Sequence, residues 1–208
     1  MQGEKRVLYV GLDASQYSSK GFQNSDYQSN EICVGIFSEN PFCLETNKFS
    51  RKRNINLLDY LDQDNLFSAS LTIKENPNDL RLGNLPYSSV SLVDYFLNMH
   101  NNHYDSIELH FDGTIHCHEF RFITSKLKER FSKVIIRSHK KKMKTDSKTK
   151  QKYYSQPFLV GLTDCLANYL FKKHPNSLLM GLSSEESTNI PIELKDNTFN
   201  HHHLWGIN

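Results

Sequence analysis

Two short apolar runs in this chain end in an aspartate followed by a small residue, and that pattern restricts the fold more than any other feature. The first is Val7-Leu8-Tyr9-Val10-Gly11-Leu12-Asp13-Ala14-Ser15, and the second is Ile107-Glu108-Leu109-His110-Phe111-Asp112-Gly113-Thr114. A third aspartate, Asp164, lies inside the helical run Phe158 to Phe171. An acid at the end of a central strand is held rigidly, close to the acid of a neighbouring strand. Like charges so near one another disfavour ionisation, and a divalent cation is the usual reason to keep them together.

The patterning around these acids predicts a mixed α/β fold. Val7–Leu12, Glu31–Phe37 and Leu66–Ile73 read as strands separated by turn-rich or polar stretches, including the long polar segment Ser15 to Asn30. Leu57 to Leu61 reads as a short helix or part of a connection. Val90, Leu92, Val93, Phe96, Leu97 and Met99 then have helical spacing, ended by Asn101-Asn102. Ile107–Phe111 is a fourth strand. Phe120, Ile123, Leu127 and Phe131 mark one face of a second helix, Lys133–Arg137 a fifth strand, and Phe158–Phe171 a last helix. Three leading strands suggest an antiparallel meander, and strands separated by helices suggest parallel crossovers. In such a sheet the first and fourth strands lie side by side, so Asp13 and Asp112 meet at one edge. Glu108, one pleat off from Asp112, is expected to point to another part of the sheet.

The chain has 208 residues, with 38% hydrophobic and 23% charged. That is enough for one domain over 1–208, with a weakly patterned extension from about residue 175 that holds one strand candidate at Ile190 to Leu194. No apolar stretch is long enough to span a bilayer. Met1 to Arg6 leads straight into a strand-like run, without the layout of a signal peptide. Cys33, Cys43, Cys117 and Cys165 have no paired spacing and read as buried free thiols of a reducing, cytoplasmic compartment.

Net charge is only +2, but it is unevenly spread. Between residues 137 and 152 stand Arg137, Lys140, Lys141, Lys142, Lys144, Lys148, Lys150 and Lys152, against the single acid Asp146. Such a run is either a solvated loop or a segment that contacts the phosphates of a nucleic acid. Its position, between the fifth strand and the helix carrying Asp164, favours phosphate contact.

The order β-β-β-α-β-α-β-α, with a mixed five-stranded sheet, resembles the ribonuclease H-like superfamily over about Val7 to Phe171. The resemblance places the first acid on the first strand (Asp13), another at the end of the fourth (Asp112) and the last on the final helix (Asp164). The Phe111-Asp112-Gly113 step is similar to the Asp-Gly that follows the fourth strand in the nuclease domain of Argonaute-like proteins. An acid on the last helix resembles type 2 ribonucleases H and Holliday-junction resolvases. The chain departs from these patterns at Ala14, where many type 2 enzymes carry a glutamate. It departs again at Asp94, on the helix where type 1 enzymes carry one. His139 stands in the connection where some members have a mobile histidine.

What the resemblance implies is a metal-dependent nuclease acting on RNA, an RNA/DNA hybrid or structured DNA. Asp13, Asp112 and Asp164 would be its catalytic, metal-holding acids, with His139 and Asp94 as auxiliary candidates. Two Mg²⁺ or Mn²⁺ ions about 4 Å apart would activate water and stabilise the leaving oxygen. Asp13 would bridge both ions, Asp112 hold one and Asp164 the other. The competing expectation is a catalytically inactive nucleic-acid-binding or scaffold protein that keeps the fold. His116-Cys117-His118 lacks the second ligand pair of a structural zinc site, and His201-His202-His203 reads as part of a polar tail.

Overall fold

Apolar residues occupy both alternations of the strand that begins at Val7, so it is buried on both faces at the centre of a sheet. Leu8, Val10 and Leu12 enter one core, while Tyr9 packs against the other. The structure, a computed structural model, describes residues 5–16, 30–50, 61, 66–74, 84–173, 190–191 and 201–206. In chain order the elements are β1 Val7–Gln16, β2 Asn30–Ser38, a 3-10 turn Pro41–Leu44, β3 Thr46–Ser50, β4 Leu66–Lys74 and α1 Asn84–His100. There follow β5 Ser106–Asp112, α2 Cys117–Leu127, β6 Lys133–His139, β7 Lys144–Thr145, β8 Lys152–Pro157, α3 Phe158–Lys173, β9 Ile190–Pro191 and β10 His201–Gly206.

The main sheet has the order β6-β5-β1-β2-β4-β10-β9. Its five contiguous strands β6-β5-β1-β2-β4 are those expected from the sequence, with β1, β2 and β4 antiparallel and β1, β5 and β6 parallel. Helices α1 and α2 cover the face formed by Leu8, Val10, Leu12, Ile107, Leu109 and Phe111. Helix α3 covers the other face, against Ile32, Val34 and Ile36. The ends of the helices follow local chemistry. Asn101, with φ +47°, stops α1 in the left-handed conformation that asparagine tolerates. The Glu119 carboxylate accepts the His116 backbone N–H at 2.7 Å, one half of a capping box for α2.

Four features differ from the sequence expectations. Among the described residues the main sheet has seven strands, not five, because the segment His201–Gly206 pairs in parallel with β4 and β9 pairs with it in turn. Adding a strand to an open edge depends on backbone groups, so this tail needs no apolar alternation to announce it. The basic segment is not a loop: β7 and β8 form a hairpin, and β8 pairs with β3 in a second, three-stranded sheet. Its turn is made by Asp146, the one acid of the run, whose Oδ1 accepts the N–H groups of Lys148 and Thr149 at 2.9 and 2.8 Å. Cys33, Cys43 and Cys165 are buried, but Cys117 is exposed; all four are free thiols. Phe120 is exposed as well, leaving Ile123 and Leu127 as the buried face of α2.

The short helix expected at Leu57 to Leu61 lies outside the described residues apart from Leu61. The polar stretch from Ser15 to Asn30 does so over residues 17–29. Among the described residues no helix is long and apolar enough to cross a membrane.

Candidate metal centre

Strands β1 and β5 run parallel in a register that ends at Leu12 opposite Phe111. The next residue of each is an aspartate, so Asp13 and Asp112 emerge together where the β1–β5 pairing stops, Asp112 as the last residue of β5 and Asp13 within β1, which runs on to Gln16 beside β2. Gly113 follows Asp112 with φ +111°, a conformation that glycine adopts readily, and its N–H donates to the His139 carbonyl at 2.9 Å.

The third acid arrives on α3, and two glycines determine how closely that helix packs. A Cβ on Gly11 would lie 2.5 Å from the Thr163 hydroxyl and 2.9 Å from Leu159 Cγ. A Cβ on Gly161 would fall 2.2 Å from the Phe49 ring. The helix is therefore seated against bare backbone of β1 on one side and receives β3 against its own bare backbone on the other. With Thr163 against Gly11, Asp164 comes to the place where the β1–β5 pairing stops. One oxygen from each of Asp13, Asp112 and Asp164 lies within 4.8 Å of the others.

A carboxylate on a buried helix needs partners, and Asp164 has three. Lys141 Nζ is 2.8 Å from its Oδ1. Asn168, one turn later on α3, donates to the same oxygen at 2.9 Å. The Tyr154 hydroxyl on β8 donates to Oδ2 at 3.1 Å. Lys141 also approaches Asp112 Oδ2, at 2.5 Å. Asp13 has less support: its Oδ1 accepts the Ala14 N–H at 2.8 Å.

Electrostatics follow from this arrangement. Asp13 is pushed up to about 8, chiefly by burial and then by the charges of Asp112 and Asp164, with Lys141 and the Ala14 N–H offsetting part of the rise. Burial also raises Asp112, against the pull of Lys141. Burial works against the charged form of Lys141, but contact with Asp112 and Asp164 outweighs it and raises its pKa. The site thus concentrates negative charge that one lysine compensates only in part. Hard oxygen donors in a tight group suit Mg²⁺ or Mn²⁺.

Beside the cluster runs a line of imidazoles. His139 pairs with Asp112 in the β5–β6 register, and its Nε2 is 2.9 Å from Nδ1 of the buried His110. His110 Nε2 in turn lies 3.1 Å from Glu108 Oε1. Burial pushes His110 down to about 4 and also lowers His139, so both rings are neutral near pH 7. Glu108 lies on the same face as Asp112, because residues 108, 110 and 112 share one alternation, but four residues back along β5 and outside the acid cluster. It pairs with Arg137.

The structure brings Asp13, Asp112 and Asp164 together with Lys141, and it sets His139 next to them. It does not bring Asp94. That residue lies on α1, across the sheet from α3, in a 3.2 Å pair with Arg130. Of the basic segment, Arg137 is held by Glu108 and Lys141 by the acids. Lys140, Lys142, Lys144, Lys148, Lys150 and Lys152 are exposed.

No protein-family model matches the chain, and no curated protein matches it. Among solved structures an Argonaute from Aquifex aeolicus aligns with TM-score 0.38 and 11% identity, over 81% of this chain and 25% of the Argonaute. That likeness is too slight to assign anything.

Sequence reasoning missed Tyr154 and Asn168 and gave Lys141 a different task. Asn168 was within reach, since it lies one helical turn from an acid that needed a partner. Tyr154 had no signal, because the hairpin that carries it is read only as a charge run.

Proposed function

We propose that this chain is a metal-dependent nuclease that hydrolyses phosphodiester bonds in RNA, an RNA/DNA hybrid or structured DNA, within a ribonuclease H-like fold. The observation that carries the reading is the convergence of Asp13 on β1, Asp112 at the end of β5 and Asp164 in the body of α3, with one oxygen of each within 4.8 Å of the others. These three carboxylates would hold the two Mg²⁺ or Mn²⁺ ions. When bound, such ions make water a nucleophile at neutral pH and stabilise the departing oxygen.

The remaining tasks belong to the chain's own residues. The exposed lysines of the β7–β8 hairpin and its approach supply point charges for a phosphate backbone, without base selectivity. Asn168 and Tyr154 hold the Asp164 carboxylate in one orientation. His139, with Nε2 engaged by His110, keeps Nδ1 as the atom that could exchange a proton beside Asp112.

Cleavage assays on labelled single-stranded RNA, an RNA/DNA hybrid and a four-way DNA junction test this reading. Strand scission is expected with Mg²⁺ or Mn²⁺ and not with EDTA, and Asp112→Asn should abolish it. Scission that survives Asp112→Asn would remove the assignment.

One observation favours a second reading, a non-catalytic protein that binds nucleic acid through the same basic surface. Lys141 already supplies a cation to Asp112 and Asp164. Calorimetric titration of Mn²⁺ into the wild type and Asp13→Asn separates the two. The nuclease reading expects binding that the substitution removes, and the second reading expects none in either protein.

A further inference from the structure

Lys141 stands where two of the three carboxylates converge. Its Nζ lies 2.5 Å from Asp112 Oδ2, 2.8 Å from Asp164 Oδ1 and 5.5 Å from the centre of the Tyr154 ring. We infer that Lys141 is the resident cation of this site, which a divalent ion must displace, so that the lysine sets the concentration at which the site loads. This rests on the reading of the acid cluster as a metal site.

The argument begins with the ligand atoms. An ammonium has only donors and takes up carboxylate lone pairs, which are also what Mg²⁺ or Mn²⁺ requires. Asp112 Oδ2 and Asp164 Oδ1 cannot serve both cations at full strength. In a partly desolvated pocket two positive charges a few ångströms apart repel far more than in water. Loading therefore requires the ammonium to withdraw.

The chain makes that withdrawal easy. Lys141 belongs to the link between β6 and β7, outside either strand ladder. Its neighbours Lys140 and Lys142 are exposed, and the side chain itself keeps about a third of its surface open, 33%. A flexible four-carbon stem can carry the ammonium out without breaking a strand. Among the described residues no other lysine or arginine forms an ion pair with the cluster.

A fixed strut, joining β5 to α3 whether or not metal is present, would use the same contacts, and titration distinguishes the two. Mn²⁺ alone is titrated into the wild type, Lys141→Met, Lys141→Ala and Lys141→Arg, each checked by a circular-dichroism melt. The neutral variants should melt lower than the wild type without divalent ions, yet bind Mn²⁺ at least about tenfold more tightly, because a charge in contact with the ligands is gone. Lys141→Arg, which keeps the charge, should bind as weakly as the wild type. Equal or weaker binding by folded Lys141→Met and Lys141→Ala overturns the exchange but leaves the acid cluster as a metal site. Absence of Mn²⁺ binding in every variant overturns both.

Discussion

Gly11 and Thr163 are in such close apposition that a Cβ on the first would sit 2.5 Å from the hydroxyl of the second. Two residues after Gly11 comes Asp13, and one residue after Thr163 comes Asp164. The spacing of these two acids is therefore set by a backbone-to-helix contact beneath them. Replacing Gly11 with alanine should push α3 away from β1, at a cost of about 1–3 kcal/mol for overpacking. Because Asp164 moves with the helix, Mn²⁺ affinity should fall as well. A chemical-denaturation curve and a Mn²⁺ titration on Gly11→Ala read the two effects, and unchanged values in both would show that the contact does not govern the site.

Asp13 gives the molecule a pH-dependent weakness. Its folded pKa is raised to about 8, against about 3.9 in an unfolded chain. The folded state thus holds this proton more tightly, and the protonated group adds stability that is complete below about pH 4. That contribution drains away as pH rises through 8. Asp13→Asn does not titrate, so in EDTA its melting temperature should exceed that of the wild type by a margin that widens from pH 5 to pH 8. A margin independent of pH would mean that Asp13 is not held protonated.

The exposed lysines should act on affinity and not on chemistry. Changing Lys140, Lys142, Lys144 and Lys148 to glutamine leaves Lys141 and the acids in place. Binding to unrelated oligonucleotide sequences should weaken by similar factors. The slope of log affinity against log salt should flatten by roughly 0.7 to 0.9 for each phosphate that is no longer neutralised. Fluorescence anisotropy between low and moderate salt measures this, and an unaltered slope would assign the hairpin no role in binding.

Asp94 supplies the contrasting case. Its partner Arg130 is exposed and Asp94 itself only half-buried, and pairs near the surface contribute about 0–1 kcal/mol. Asp94→Asn should leave Mn²⁺ affinity and any cleavage rate unchanged, with a melting temperature within a few degrees of the wild type. A loss of metal binding in this variant would make Asp94 a fourth acid of the site.

Much of this arrangement was legible because it rests on repeating patterns. The alternation in Val7–Leu12 and Ile107–Phe111 announced two central strands, and the acids that end them could be expected to meet. The helical spacing from Phe158 onward placed Asp164 on a buried helix, where a charge demands company. Apart from Asn168, one turn further along the same helix, that company could not be read. Lys141 appeared as one member of a basic run, since charge composition does not reveal which side chain turns inward. The hairpin bearing Tyr154 carries too little alternation to distinguish it from a loop, and its pairing partner β3 is five residues long and largely polar. The strand at His201–Gly206 escaped for a related reason: its partner is an edge, and an edge accepts almost any backbone.

At the opposite margin of the sheet from that added strand, β6 has a neighbour on one side only among the described residues. Its Val134-Ile135-Ile136 core has the composition that invites another chain to dock by strand addition. Lys133 and Arg137 bracket it, both exposed, and Glu108 ties Arg137 down at its post. Charges so placed at an open edge oppose pairing with a second chain. Neutralising both should make sedimentation more dependent on concentration than it is in the wild type.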